Sequence, residues 1–210
     1  SSAMNASAAL TSETTRYNAS CEKVENINLT AANYSCTIRM WYWDGAGDWT
    51  VNISLNDTTG LIADTKNTTF TLASTPSMVM APLSLAWDNI VMTALNQTPT
   101  NNPIILNNTG NKPITDGNIK VTAIDMQGAS IATEYLRSAN FKIGPSTSAQ
   151  KIECAATTMV NQTSIAVSGA ALAKGNNTEG YGNSTLYFCL ANVTTGITPQ
   201  AYSTATSGKW

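Results

Sequence analysis

The sequence predicts an all-β protein built as a β-sandwich, and three observations lead to this prediction. Short stretches rich in Val, Ile, Thr and aromatic residues alternate apolar and polar side chains. Clusters of Gly, Pro, Asn and Asp separate these stretches, as turns separate strands. No segment sustains the 3.6-residue apolar period of an amphipathic helix with capping residues. Two tandem sandwiches are the expected arrangement.

The clearest predicted element is a hairpin in the first third of the chain. Residues 35–43 (SCTIRMWYW) form its first strand, residues 44–48 (DGAGD) its turn, and residues 49–55 (WTVNISL) its second strand. Residues 67–72 continue as another Thr-rich strand. Further strands are predicted at residues 78–87, 103–106, 118–124, 139–143, 164–167 and 185–190. Many short strands at regular spacing are typical of a sandwich.

A junction at residues 74–77 divides the chain, because proline and small polar residues interrupt the strand pattern there. We therefore expect an N-terminal strand or tail at residues 1–20, a first sandwich at residues 21–75 and a second at residues 76–210. A seven-stranded sandwich usually takes about 100 residues. The first unit is shorter than that and is predicted to be incomplete.

Asparagine usage indicates the compartment. Thirteen of the twenty-two asparagines open an N-x-S/T sequon, whereas composition alone would place roughly five. A glycan needs an exposed position in a compartment outside the cytosol, so the excess predicts an extracellular glycoprotein. The alternative is that a Thr- and Asn-rich β protein collects sequons by composition. The candidate sites are Asn5, Asn18, Asn28, Asn33, Asn52, Asn56, Asn67, Asn96, Asn107, Asn161, Asn176, Asn183 and Asn192.

Cysteine usage agrees with that compartment. The chain has four cysteines, an even number, and none of them lies in a metal-binding spacing. Of the three possible pairings, Cys21 with Cys36 and Cys154 with Cys189 are favoured, because each closes a modest loop within one half of the chain. Four buried free thiols are the alternative. The chain begins at Ser1 rather than Met, which predicts a removed signal peptide or a start inside a longer polypeptide.

Charge and hydropathy exclude two classes of protein. Only 11% of the residues are charged, the net charge is −2, and the eleven Lys and Arg residues are scattered. We therefore expect no nucleic acid as a partner. No stretch reaches 18 consecutive apolar residues, so no membrane span is expected in this chain.

The inventory of reactive groups argues against an enzyme and against a cofactor. The chain has no histidine, which removes the commonest general base and metal ligand. It also lacks the glycine-rich nucleotide motifs and the nucleophile elbow. Asp44 and Asp48 could supply oxygen ligands to Ca²⁺ from their glycine-rich turn. An ordinary hairpin turn is the simpler interpretation of the same residues.

The first ten residues, SSAMNASAAL, carry the period-two pattern of a strand. Met4, Ala6, Ala8 and Leu10 lie on one face of that strand. Such a strand can fill a gap in the sheet of the next copy. Repeated head to tail, this contact does not close and generates a filament. The alternative is an ordinary edge strand within its own domain.

Three stretches resemble known families. Residues 41–60 (WYWDGAGDWTVNISLNDTTG) resemble the central hairpin of PKD-like and other immunoglobulin-like domains in archaeal cell-surface proteins. Residues 103–114 (PIILNNTGNKPI) and 186–193 (LYFCLANV) resemble strands of a second immunoglobulin-like module in archaeal exported proteins. The resemblance implies immunoglobulin-like sandwiches in an archaeal surface glycoprotein. Archaeal thread-type and bundling pili, whose sandwich subunits are joined by donor strands, are the family-level precedent.

These inferences predict a structural subunit of an extracellular, pilus-like filament, with copies of itself and N-linked glycans as partners. The alternative is a monomeric adhesin or an S-layer or envelope-associated ectodomain that binds a ligand or carbohydrate. In that case Trp41, Tyr42, Trp43 and Trp49 would form a sugar-stacking platform. Otherwise these aromatic side chains are expected to pack in and on the sandwich.

Overall fold

The chain is all-β, as the sequence predicts, and this prediction is confirmed by a computed structural model. The structure describes residues 15–16, 21–28, 31–56, 58–64, 66–145, 154, 156–176, 178 and 180–205. Within these residues the helical content is limited to one 3-10 turn, Ser138–Asn140. None of the helical structure there has the length and hydropathy needed to cross a membrane.

The chain divides into two compact units. Unit 1 comprises Ser1–Ser77, Thr109–Lys112 and Lys174–Tyr181, and unit 2 comprises Met78–Asn108, Pro113–Ala173 and Gly182–Trp210. The division after Ser77 lies beside the predicted junction at residues 74–77. The predicted boundaries do not include the two later segments of unit 1. Asn111 explains one of them, because its side chain bonds the backbone of Ala73 and Thr75.

The first hairpin of unit 1 is one that the sequence analysis missed. Strand β1 (Glu22–Asn28) pairs antiparallel with β2 (Ala31–Ser35). The disulfide between Cys21 and Cys36 lies just beyond the pair of Glu22 with Ser35, and its Cα atoms are 4.4 Å apart. The covalent bond therefore closes the open end of this hairpin.

The second hairpin corrects the predicted pairing of residues 35–43 with residues 49–55. Strand β3 (Gly47–Ile53) pairs instead with β4 (Lys66–Leu72), and residues 36–43 form no strand. The reason is a local turn. The Trp41 N–H donates to Asp44 Oδ2 at 2.8 Å, and the Asp44 N–H donates to the Trp41 carbonyl at 3.0 Å. These backbone groups are committed to the turn rather than to a strand ladder.

A six-stranded antiparallel sheet forms one layer of unit 2. Its order is β12-β11-β14-β7-β5, and β6 also pairs with β14. The strands are β5 (Met78–Ala81), β6 (Leu95–Gln97), β7 (Ile104–Asn108), β11 (Phe141–Pro145), β12 (Thr157–Thr158) and β14 (Asn183–Asn192). The long strand β14 is central, since it pairs with β11 along one edge and with β7 and β6 along the other.

Two smaller sheets complete the described part of unit 2. Strand β8 (Lys120–Thr122) pairs with β13 (Ser164–Ala166). Strand β9 (Met126–Gly128) lies between β10 (Tyr135–Leu136) and β15 (Tyr202–Ser203). The largest fully buried side chains are those of Phe141, Ile143, Met159, Leu172 and Leu190. Alternate inward-facing residues of β11 and β14 supply much of this core.

The predicted strands of unit 2 exist, with shifted bounds. Each of the six predicted from residue 78 onward overlaps an observed strand. The first ends at Ala81 rather than at residue 87, because Pro82 has no N–H to donate to a ladder. Strands β6, β9, β10, β12 and β15 were not predicted. They have two or three residues each, too few for an alternating pattern.

One side chain completes the ladder along β14. Asn102 lies between β6 and β7 in sequence, and its Nδ2 donates to the Phe188 carbonyl at 3.2 Å. The Phe188 N–H donates to Asn102 Oδ1 at 3.1 Å. A primary amide offers both a donor and an acceptor. Asn102 therefore satisfies both backbone groups of Phe188 as a paired strand residue would.

We predict that Asn102→Ala lowers the free energy of unfolding by about 1–3 kcal/mol, because the backbone groups of the buried Phe188 lose their partners. The measurement is urea denaturation. The exposed Asn89 provides a matched control, and Asn89→Ala should stay within about 0.5 kcal/mol of the unmodified chain. Equal stability of the two variants would contradict this role of Asn102.

Candidate interaction surfaces

The sequon asparagines lie on the surface wherever the structure describes them. Nine are exposed, at positions 28, 33, 52, 56, 67, 96, 161, 183 and 192, and Asn107 and Asn176 are half-buried. Asn5 and Asn18 lie outside the described residues. N-glycosylation requires an exposed asparagine, and the nine exposed candidates meet this requirement.

The buried asparagines behave differently. Asn108 is fully buried, and its Nδ2 donates to the Ala173 carbonyl at 3.0 Å. Asn111 is also buried and donates to the Ala73 carbonyl at 2.9 Å. Neither residue opens a sequon. In this chain, sequons mark surface asparagines, whereas these buried amides hold backbone segments together.

The aromatic residues near position 42 pack on one another. The Trp41 and Trp43 rings are stacked, with centroids 4.9 Å apart, and the Arg39 guanidinium lies 4.0 Å from the Trp41 ring centroid. Tyr42 meets Trp43 edge to face at 4.7 Å. A guanidinium above an indole ring is a favourable cation–π contact. Both neighbours of Trp41 occupy ring faces that a sugar would need.

The two aspartates proposed for calcium have separate partners. Asp44 is fully buried and forms an ion pair with Arg16, in addition to accepting the Trp41 N–H. Asp48 is exposed and accepts from Thr71 Oγ1 at 2.6 Å. No group of three or more acidic, His or Cys side chains suited to a metal occurs in the described ranges. Asp44 is thus a structural residue of the turn, and we propose no calcium site.

Both disulfides form, with the pairing that loop length favours. Cys21 and Cys36 are exposed in unit 1. Cys154 and Cys189 are buried in unit 2, where Cys189 belongs to the central strand β14. Their Cα atoms are 5.5 Å apart. One bond therefore closes a surface hairpin, and the other anchors a loop residue to the core sheet.

A polar cluster fastens the segment around Glu134 to the segment before β15. The Thr198 N–H donates to Glu134 Oε2 at 2.7 Å, and the Tyr202 hydroxyl donates to the same oxygen at 3.0 Å. Gln200 Nε2 adds a third bond at 2.8 Å. The backbone N–H of Thr198 is the main cause of the lowered pKa of Glu134. The partners are more than 60 residues apart in sequence, so no local pattern predicts them.

The buried carboxylate of Asp125 holds the start of the 3-10 turn Ser138–Asn140. Asp125 is buried and accepts from Arg137 Nη1 at 2.8 Å and from the Ser138 N–H at 2.8 Å. Burial raises the pKa of its carboxyl, but the hydrogen bonds from Arg137 and Ser138 together outweigh burial and lower the pKa. Its partners lie 12 and 13 residues later in the chain, so the strand pattern before Asp125 does not predict these bonds.

An open groove of about 690 Å³ lies in unit 2. Its floor includes Leu106, Ile143, Leu186 and Phe188, which belong to the inner face of the six-stranded sheet. The opposite wall includes Val121 of β8. The groove therefore leads from the surface to the hydrophobic core. A groove with an apolar lining is a candidate site for an apolar segment.

Two strand edges border this groove. Strand β5 contributes Met78 and Met80 to its lining, and strand β8 contributes Val121. Strand β5 pairs with β7, and β8 pairs with β13. Among the residues that the structure describes, neither strand is paired along its other edge. The groove thus combines an apolar floor with backbone groups open to a further strand.

Strand β5 has a different environment on each face. Met80, on the groove side, is 43% exposed, and Val79 is 54% exposed. Val79 pairs with Asn107, and Asn107 pairs with Asn183 across β14. Directly opposed residues share one face of a sheet. Val79 therefore lies on the same face as two sequon asparagines, away from the groove.

Unit 1 leaves many apolar side chains exposed. The large exposed ones on and between its strands are Val24, Ile27, Tyr34, Ile38, Tyr42, Ile53, Leu55, Leu61, Ile62 and Phe70. Its described strands form two separate two-stranded sheets. A two-stranded hairpin is marginally stable in water without further packing. The candidate exchange residues Met4, Ala6, Ala8 and Leu10 lie outside the described residues.

Asp125 should make stability depend on pH. Because its folded pKa is depressed, its contribution is fully present above the unfolded pKa of about 3.9 and is lost as the pH falls through the folded pKa. Asp125→Asn should lower the melting temperature at pH 7, and the difference should narrow below about pH 4. Thermal denaturation from pH 7 to pH 2 measures this. The exposed Asp88 supplies the control Asp88→Asn. A difference that stays constant with pH would refute the assignment.

Comparisons with models of protein families, with curated proteins and with solved structures find no match to this chain. The resemblance to archaeal immunoglobulin-like surface proteins and to thread-type pili therefore stays a prediction.

Proposed function

We propose that this chain is a structural subunit of an extracellular, glycosylated filament that polymerises head to tail by β-strand complementation. The main observation that supports the proposal is the environment of strand β5. In the part of the chain that the structure describes, it is an edge strand of the six-stranded sheet. Its Met78, Val79 and Met80 are exposed, and it contains no charged residue. Proteins that stay monomeric usually protect such an edge with charges, bulges or a covering element. An open apolar edge is a template for another strand.

The N-terminal segment supplies a suitable strand. Residues 4–10 alternate apolar and polar or small side chains, and residues 1–12 contain no charged side chain. In strand addition, main-chain hydrogen bonds provide affinity, and alternate side chains enter pockets. Donor and acceptor are different surfaces of the subunit, so the contact is heterologous and propagates into a fibre. The exposed apolar side chains of unit 1 also suit a subunit that is completed by assembly.

The extracellular location is supported by two features. Disulfides persist in oxidising compartments outside the cytosol, and the described cysteines form two of them. The surface carries few charges and many exposed sequons. Glycans at these positions would hydrate the surface and shield the sheet faces from unwanted association. We assign the chain no catalytic role.

The alternative, a monomeric adhesin or envelope-associated ectodomain, has less support. It requires an aromatic platform with accessible ring faces for a carbohydrate. Trp41 is stacked on Trp43 and covered by Arg39, and Trp43 also meets Tyr42. These contacts use the ring faces within unit 1 itself. The cluster is better explained as packing around the buried ion pair of Asp44 and Arg16.

The filament is tested by negative-stain electron microscopy of the native protein, prepared without denaturant. We expect thin fibres with an axial repeat of one subunit. Ala6→Asp/Ala8→Asp should abolish them, because two charges would enter an apolar site. Ala3→Asp/Ala9→Asp is the matched control, since it places the same charges on the opposite face of the strand. If Ala6→Asp/Ala8→Asp still forms fibres, residues 4–10 are not the donor strand. If the unmodified chain gives only dispersed particles, the adhesin is the better interpretation.

Glycosylation is tested by glycopeptide mass spectrometry of the native protein. We expect modified peptides at exposed sequons such as Asn52, Asn67 and Asn183, because an exposed asparagine is accessible to the glycosylation machinery. The buried Asn108 and Asn111, which open no sequon, are internal controls and should be unmodified. If every peptide that contains a sequon has its unmodified mass, the chain is not a glycoprotein.

A further inference from the structure

We propose that the groove between β5 and β8 is the acceptor site, and that its occupant is the segment of residues 4–10 of a second copy. This inference rests on the proposed function and names the partner surface within it. The incoming strand lies beside β5 and adds a seventh strand to the six-stranded sheet. It places Met4, Ala6, Ala8 and Leu10 over the groove floor.

One edge of β5 has backbone groups that could pair with an added strand. Strand β5 is paired along one edge by β7, and its other edge is unpaired within the described ranges. A new strand beside β5 would satisfy the N–H and C=O groups of that edge. Seven residues in extended conformation span about 20 Å. This length exceeds that of the four-residue β5, so the segment can cover the whole edge.

The side chains of donor and groove are complementary. The floor is apolar, with Leu106, Leu186 and Phe188 each at most 5% exposed. The proposed inward face of the donor presents two long apolar side chains separated by two alanines. Lys120 is the one charged residue that lines the groove in the described structure. The donor carries no charge, so its insertion buries no ion.

The outward face of the donor agrees with glycosylation. If Met4 and Ala6 point into the groove, then Asn5 points outward, because successive strand residues alternate. Asn5 opens a sequon, so its glycan would stay in solvent. On β5, Val79 likewise shares its face with Asn107 and Asn183. Glycans on that face would hinder a second chain there, which leaves the groove side of β5 for assembly.

Donor and acceptor belong to different units of the chain. The N-terminal segment joins unit 1 at Arg16, whose guanidinium is ion-paired with the buried Asp44. The groove is formed by residues of unit 2. Each copy therefore carries its donor on one unit and its acceptor on the other. Pairing between copies uses two different surfaces, and such contacts extend head to tail.

The first experiment measures binding of a fluorescent peptide with the sequence of residues 1–14. The acceptor is the full chain with Ala6→Asp/Ala8→Asp, which keeps its own segment out of an apolar site. We expect saturable binding by fluorescence anisotropy. Adding Met80→Asp should weaken it about tenfold or more, because the charge lies on the groove side. Val160→Asp is the matched control, because Val160 is 43% exposed like Met80 but does not line the groove, and it should leave the affinity unchanged. If the peptide does not bind, or if both variants lose affinity equally, the groove is not the acceptor site.

The second experiment identifies the occupant. A photocrosslinker replaces Met80 in equal amounts of ¹⁵N-labelled and unlabelled full chain, and the mixture is assembled and irradiated. Crosslinked peptides that join residues 4–10 to position 80 and combine both isotopes are expected. If position 80 crosslinks only within single chains, or to residues 206–210, the strand in the groove is not residues 4–10 of a second copy.

These outcomes separate the groove from the filament. If Met80→Asp in the otherwise unmodified chain still forms normal fibres, the groove assignment is wrong and the filament proposal survives. If the unmodified chain forms no fibres but the peptide binds in a Met80-dependent manner, the filament proposal fails. The groove then remains a strand-binding site.

Discussion

The pairing of strand β14 with its neighbours is the interaction on which the rest of unit 2 depends. This ten-residue strand pairs with β11 along one edge and with β7 and β6 along the other. Its Leu186, Phe188 and Leu190 face the core, and Cys189 bonds the loop at Cys154. Cross-strand packing of this kind supplies most of the stability of a sheet. The short outer strands, which could not persist alone, are held in place through β14.

The strand order of the six-stranded sheet places β14 in the middle and β5 at one end. Because β14 takes the middle of the sheet, β5 lies at its end, where β7 is its one partner among the described strands. The side chains beneath that end, Leu106 and Ile104, belong to the same core that β14 anchors. The core thus places apolar side chains along the floor of the groove. Preorganisation lowers the entropic cost of binding an extended segment.

Polar side chains in this chain act mainly as internal fasteners. With 11% charged residues, few ions are available for the surface. Two described ion pairs, Asp44 with Arg16 and Asp125 with Arg137, join separate segments of the chain. Asn102 performs the same task for the backbone of Phe188. A buried polar group without its partner costs more than the hydrogen bond contributes. These contacts therefore specify which segments meet, more than they add to net stability.

The fold class and six strands of unit 2 could be predicted from the sequence, because alternation along a strand is a local property. The segments that became β7, β11 and β14 show it clearly. Local pattern also suggested a strand at residues 36–43, and there it was wrong. The carboxylate of Asp44 turns the backbone at Trp41, and the tryptophan rings stack on each other instead of on a sheet.

The sequence by itself determined that the chain is all-β and low in charge, and it indicated which cysteines pair and which asparagines are candidates for glycans. Tertiary structure alone decided that β3 pairs with β4, that two later segments join unit 1, and that Glu134 meets Thr198. It also decided where the groove lies, since its lining comes from segments more than 100 residues apart. The physical reason is that alternation and turn chemistry act between neighbours in the chain. The choice of partner strand depends on burial and hydrogen bonding summed over residues that are distant in sequence.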